Sequence, residues 1–231
     1  VNIKRISATS VTKYSLCPRQ WQFSYELKLL TLPCQAFTIG SAYHKYVELF
    51  HKNKSTEQIM NHLKPTLNKD EFIEVCQMGR KYEDNPIRGK VSCLELNFSY
   101  AIEGIPVPLF GYIDRLDENK IVEYKTSSFD YKQSDIETLQ SKIYTYAIWR
   151  YYNKIFPVVY SVMNKKKVNK PSYKPQRLEI KYTEEDMLNL EDTLRAFYQN
   201  VKDKKFDPCP GKHCYWCPWN KRALGNCDKS I

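Results

Sequence analysis

An α/β fold with a central mixed β-sheet flanked by helices is predicted by three features of this 231-residue sequence. Helical patterning fills the first third of the chain. Two alternating segments then meet across a short polar turn, as antiparallel strands do. A strand, a helix and a further strand follow in that order, so the sheet is mixed. The composition, 42% hydrophobic and 27% charged, is that of an ordinary folded protein with ample material for a core. With only seven glycines and no Gly/Ser-rich linker or repeat, residues 1–231 read as a single domain.

Taken in order, "SVTKYSLCPRQWQFSYEL" from about residue 10 to 27 is expected as a helix in two pieces, because Pro18 breaks or restarts it. "FTIGSAYHKYVELFHK" places Tyr43, Val47 and Phe50 toward the core. Residues 55–84 read as two helices separated around Lys64 and Pro65. "KVSCLELNFSYAIEG" and "VPLFGYIDRLDENKIVEYKT" alternate like antiparallel strands. "IETLQSKIYTYAIWRYY" has the spacing of a strongly amphipathic helix, with Gln140 and Tyr144 on one face opposite Leu139 and Ile143. "PVVYSVMN" and "QRLEIKYT" are strands, and Thr183 caps the helix that begins "EEDMLNLEDTL".

The hairpin carries the first functional signal. If Glu118 and Asn119 form a two-residue loop, Asp117 pairs with Lys120, Asp114 with Glu123 and Tyr112 with Lys125. Side chains alternate along a strand, so Glu123 and Lys125 share a face with Ile121, while Val122, Tyr124 and Thr126 take the other. Asp114 and Glu123 would then be like charges with Cβ atoms roughly 4.5–5.5 Å apart, which destabilises a sheet unless something compensates. A divalent cation between them is the obvious candidate. Taken alone, Asp114, Glu123 and Lys125 read more readily as the solvated charges of an exposed hairpin. His44, four residues after Gly40, adds a competent metal ligand on a helix, although His44, Glu48 and His51 also suit a plain polar stripe.

Charge and cysteines narrow the function classes. With 36 Lys+Arg against 26 Asp+Glu, the net charge of +10 favours a polyanionic partner, most often nucleic acid. Lys4, Arg5, Lys13, Arg19, Lys142, Arg150 and "NKKKVNK" recur around the candidate motifs, the last reading as a solvated loop. Tyr215, Trp216 and Trp219 suit stacking on unpaired bases or packing within the tail. No apolar run reaches 18 residues, and "VNIKRISATS" lacks a signal peptide's apolar centre, so an intracellular protein with no membrane association is expected. A viral or mobile-element origin is compatible with the lysine-rich, glycine-poor composition. Four of eight cysteines, Cys209, Cys214, Cys217 and Cys227, crowd the tail and read as metal ligands rather than disulfides. Cys34, Cys76 and Cys93 read as core thiols.

Six ordered segments, "SATSVTKYSLCPRQWQFSY", "GSAYH", "GYIDRLD", "VEYKTS", "QSKIY" and the cysteine-rich tail, together resemble the RecB-like branch of the PD-(D/E)XK nuclease superfamily. This branch includes the CRISPR-associated exonucleases and the AddB nuclease domain. The resemblance implies a restriction-endonuclease-like core at about 35–200, with a cluster subdomain of about 7–30 plus 205–231 joining the two terminal regions. It implies that His44, Asp114, Glu123 and the Tyr124 carbonyl bind Mg²⁺ or Mn²⁺, that Lys125 serves the attacking water, and that Gln140 and Tyr144 contact DNA. It also implies a 4Fe–4S cluster on Cys17, Cys214, Cys217 and Cys227. Nine residues separate Cys217 from Cys227 where five is commoner in the family, which leaves Cys209 as a substitute. A Cys₄ zinc site is the alternative that the residue types allow. The implied activity is a metal-dependent exonuclease on single-stranded DNA or DNA ends, in recombination, repair or replication. The alternative is a non-catalytic DNA-end-binding or assembly subunit of a recombination or CRISPR-adaptation complex; a zinc-stabilised nucleic-acid-binding module without nuclease ancestry is a third. No G-x-x-x-x-G-K-[ST] occurs, so unwinding would need a helicase or recombination partner.

Overall fold

The computed structural model describes residues 3–31, 34–221 and 223–227. A two-residue strand, β1 (Ile6–Ser7), leads into α1 (Ala8–Leu16), capped where the Ser7 side chain accepts the Ser10 N–H. Pro18 ends α1 and opens α2 (Pro18–Trp21), since its ring is tolerated in a first helical turn but not further in. A π-helical turn over Gln22–Glu26 follows. Next come α3 (Gln35–His51), α4 (Thr56–Leu63) and α5 (Lys69–Glu83), the last two carrying capping boxes and separated at Lys64–Thr66 as the sequence predicts. The strands β2 (Val91–Ile102), β3 (Ile105–Asp117) and β4 (Ile121–Ser127) form the meander. Helices α6 (Gln133–Ile136) and α7 (Leu139–Tyr152) cross to β5 (Val158–Asn164), which pairs with β6 (Gln176–Ile180). Helix α8 (Glu184–Lys202) is capped by Thr183.

The sheet is mixed. β4 and β5 run parallel, joined through α6 and α7, while β2–β3, β3–β4 and β5–β6 are antiparallel. The β3–β4 register is the one the turn predicts, with Arg115 opposite Val122 and Leu116 opposite Ile121. It does not persist to Tyr112, which pairs with Asn97 of β2 rather than with Lys125. The cause is a fork. β2 follows one edge of β3 from end to end. On the other edge β4 pairs at Arg115 and Leu116, and β1, running parallel, pairs at Leu109 and Phe110.

Alternation along β4 divides the core in two. Ile121 joins Ile6, Trp21, Ile143 and Leu194 on one face of the sheet, under α1, α7 and α8. Val122 and Tyr124 join Tyr43, Val47, Met78 and Tyr82 on the other, under α3 and α5. Three expectations change. Tyr46 is fully buried beside Tyr43 and Val47, while Phe50 lies at the margin. Helix α7 is not strongly amphipathic: Ser141 and all of Ile143–Ile148 are buried, because α1 and α8 cover it from outside. Of the three expected core thiols Cys76 is buried, Cys93 half-buried and Cys34 exposed at the start of α3.

The two terminal regions pack together. Tyr14 donates to the Lys205 carbonyl at 2.6 Å, Trp21 stacks on Phe206 and Phe23 meets Trp219 edge-on. Trp219 is therefore buried, while Tyr215 and Trp216 are exposed. Among the described residues no helix is long and apolar enough to cross a membrane.

Candidate active site

The fork in the sheet makes the site. Where β4 peels away from β3, the Tyr124 N–H is met by a side chain: Asp114 Oδ2 accepts it at 2.9 Å. Helix α3, packed across β4, sets His44 Nδ1 3.3 Å from Asp114 Oδ1. Lys125 Nζ donates to Glu123 Oε1 at 2.6 Å and to Gln140 Oε1 at 2.9 Å, and Gln140 Nε2 donates to the Tyr144 hydroxyl at 2.9 Å. The chain Glu123–Lys125–Gln140–Tyr144 thus links β4 to the first turns of α7. The structure brings all six side chains, His44, Asp114, Glu123, Lys125, Gln140 and Tyr144, to the wall of one groove.

The electrostatics follow from burial and opposition. Glu123, 2% exposed, has its carboxyl pushed up to about 7 by burial and then by the Asp114 carboxylate, against Lys125 and His44. Burial would raise Asp114 too, but His44, the Tyr124 amide and Lys125 outweigh it and hold it low. His44 and Lys125 are raised despite burial, His44 by Asp114 and Lys125 by Glu123. Each carboxylate therefore has its own cationic or protonatable neighbour.

The fit to a hard cation rests on one atom. Glu123 Oε2 is buried and has no hydrogen-bond partner, beside a second carboxylate that stays ionised. Two carboxylates and an imidazole are a donor set that Mg²⁺ or Mn²⁺ accepts. The side chains have not closed into a cage: among the described residues no three His, Cys, Asp or Glu are gathered tightly enough to hold an ion.

Residues 5–222 match the family model of the PD-(D/E)XK nuclease superfamily. The chain belongs to that superfamily. Its members are hydrolytic nucleases, and the mixed sheet flanked by helices is consistent with a restriction-endonuclease-like fold. A crystal structure from Eubacterium rectale named "Putative exonuclease" is similar in fold, with a TM-score of 0.59 and 13% identity over 89% of this chain and 84% of that one. The protein SSO0001, 13% identical, superposes at a TM-score of 0.49 over all of this chain and 89% of its own. No curated protein matches the sequence.

Two groups beside this cleft escape the sequence pattern. Glu95 of β2 lies between Leu94 and Leu96, whose partners Arg115 and Ile113 flank Asp114. It adopts a left-handed backbone (φ 52°) and lines the cleft, where burial and Asp114 push its carboxyl up. The signal was present only as a third acidic residue in an alternating strand. Behind Tyr124, Arg115 is wholly buried and gives two bonds to Asp117, at 2.6 and 2.8 Å, and one to His51 Nε2 at 3.0 Å. His51 also meets the Tyr82 hydroxyl at 2.6 Å. Burial and Arg115 lower its pKa to about 4, so this half-buried imidazole is a neutral acceptor for Arg115.

The cysteines gather separately. Cys17, Cys209, Cys214, Cys217 and Cys227 line one cavity with His213, whose Nε2 is buried without a hydrogen-bond partner. The Cys209 N–H donates to Cys17 Sγ at 3.4 Å and the Gly211 N–H to Cys214 Sγ at 3.5 Å, contacts that favour electron-rich sulfur. Soft thiolates in that number suit iron or zinc chemically.

Proposed function

We propose that this chain is a metal-dependent exonuclease that hydrolyses phosphodiester bonds in single-stranded DNA or at DNA ends. The observation that carries the reading is the buried, unpartnered Glu123 Oε2 beside Asp114 and Lys125. His44, Asp114, Glu123 and the Tyr124 carbonyl would hold Mg²⁺ or Mn²⁺, which supplies Lewis-acid polarisation of the phosphate and activation of water. Lys125 stays protonated, so its part is to orient by donating hydrogen bonds rather than to accept a proton. Gln140 fixes that ammonium from α7 and, with Tyr144, faces the strand. Before an ion binds, protonated His44 holds Asp114 ionised, and His44 would give up that proton to serve as a ligand. Lys4, Arg5 and Lys28 on the groove wall supply phosphate contacts, and any unwinding would fall to a helicase or recombination partner.

The test is cleavage of end-labelled single- and double-stranded DNA with Mg²⁺ or Mn²⁺. Glu123→Gln and Lys125→Ala should each lose at least about a hundredfold in rate, in keeping with losses seen when charge-stabilising groups are removed, with unchanged circular dichroism. Full cleavage by both variants would reject the assignment. In the Glu123→Gln protein, binding should weaken steeply with salt through counterion release; salt-insensitive binding would contradict the phosphate contacts.

The cysteine cavity, in this reading, holds a 4Fe–4S cluster through Cys17, Cys214, Cys217 and Cys227, with Cys209 able to replace Cys227; zinc is the alternative occupant. Iron and zinc analysis of anaerobically purified protein separates the two.

A further inference from the structure

Two grooves share Ser41, His44, Asp114 and Lys125 and differ in the rest of their walls. One carries Lys4, Arg5 and Lys28. The other carries Phe37 and Phe129, which are 78% and 64% exposed. Exposed phenylalanines on the rim of a cleft in a chain of net charge +10 call for an occupant that is both anionic and aromatic.

Their placement is ordered. Phe37 lies seven residues before His44 on α3, hence on the same helical face and about 10 Å along its axis. Phe129 follows Lys125 by four residues, just past the end of β4. Its backbone N–H donates to Ser127 Oγ at 3.1 Å, and its ring stacks against Tyr131, 6.1 Å between centroids. Measured along the elements that carry them, the two rings thus stand about 10–13 Å from His44 and Lys125. At 3.4 Å per stacked nucleotide that is about three or four nucleotides.

We infer that Phe37 and Phe129 are specificity residues that stack on unpaired bases about three or four nucleotides from the reacting phosphate, so that the site selects single strands over duplex. The inference rests on the nuclease reading above and goes beyond it by assigning the residues that make the choice. In duplex DNA the base faces are already covered by their neighbours, so the rings have nothing to bind. In a single strand each base offers a π-face, and stacking is tolerant of sequence. The cationic groove and the aromatic one then hold the strand on the two sides of the site.

The experiment uses full-length protein and oligothymidylates, intact or with a single abasic position walked along the strand. Affinity is read by fluorescence anisotropy without metal, and KM and kcat with Mg²⁺ or Mn²⁺. Phe37→Ala and Phe129→Ala should each weaken single-strand affinity and raise KM by roughly 5- to 100-fold. Values of kcat and of duplex affinity should not change, and Phe→Trp at either position should restore binding. Wild-type protein should lose affinity when the abasic position falls about three or four nucleotides from the cleaved bond, and the alanine variants should not notice it. Unchanged KM and affinity in the double variant, or equal losses on single strands and duplex, would overturn the inference. Ring-dependent binding by a wild type that cleaves nothing would instead remove the nuclease reading, and with it the distance to a reacting phosphate, and leave only the stacking on unpaired bases.

Discussion

Glu123 shows how one side chain can be unfavourable for stability and necessary for chemistry. Unfolded, its carboxyl titrates near 4.5; folded, burial and Asp114 move it to about 7. Between those values the folded protein holds a proton the unfolded chain has released, so stability contributed by this group falls as pH rises from about 4.5 to about 7. A cation that binds the ionised carboxylate reverses that loss. Mg²⁺ or Mn²⁺ should therefore raise Tm more at pH 8 than at pH 6, and Glu123→Gln should flatten the difference; equal shifts at both pH values in the wild type would refute the coupling. At this scale the sequence was partly transparent. Asp114, Glu123 and Lys125 stand out because charge in a strand otherwise fit for burial needs a reason. Arg115 does not stand out, because Arg is ordinarily a surface residue and only the packing behind Tyr124, with its bonds to Asp117 and to the half-buried His51, shows that it is enclosed.

Among elements, the β3–β4 hairpin was legible because turn length fixes register. The fork was not, since no local pattern announces that a carboxylate will take an amide proton from the sheet ladder. Helix α7 misled for a related reason: Ser141 is buried in hydrogen bonds to other segments, as to Tyr182 at 2.6 Å, and hydropathy alone scores it as surface. Helix α3 depends on α5 in a way that can be tested. A Cβ built on Gly79 would lie 2.2 Å from Tyr46 Cζ, and that ring is fully buried and tied to Glu83 at 2.9 Å. Gly79→Ala must push α3 outward, and α3 carries His44. The expected cost is about 1–3 kcal/mol by chemical denaturation, together with reduced nuclease activity. A variant as stable and active as wild type would show that the two helices yield freely.

For the whole molecule, the joining of the terminal regions was an expectation of the family resemblance at Cys17 and the tail cysteines, while Cys34 was misjudged because an apolar neighbourhood in sequence is not one in space. Cys17 lines the same cavity as the tail cysteines, whereas Cys76 is buried elsewhere. Cys17→Ser should therefore lower bound iron, or zinc, per chain and reduce Tm, and Cys76→Ser should leave the metal content alone. Unaltered metal content in Cys17→Ser would remove Cys17 from the ligand set. The same terminal region contains β1, whose two residues pair with Leu109 and Phe110, more than a hundred positions later. Contacts so distant in sequence are slow to form, because a long loop must close before they contribute. The residues from His44 to Tyr144 can come together without β1, but the groove floor that carries Lys4 and Arg5 cannot. Folding would then assemble the groups proposed for hydrolysis before the surface proposed to take the strand, so that DNA binding would wait on the docking of β1.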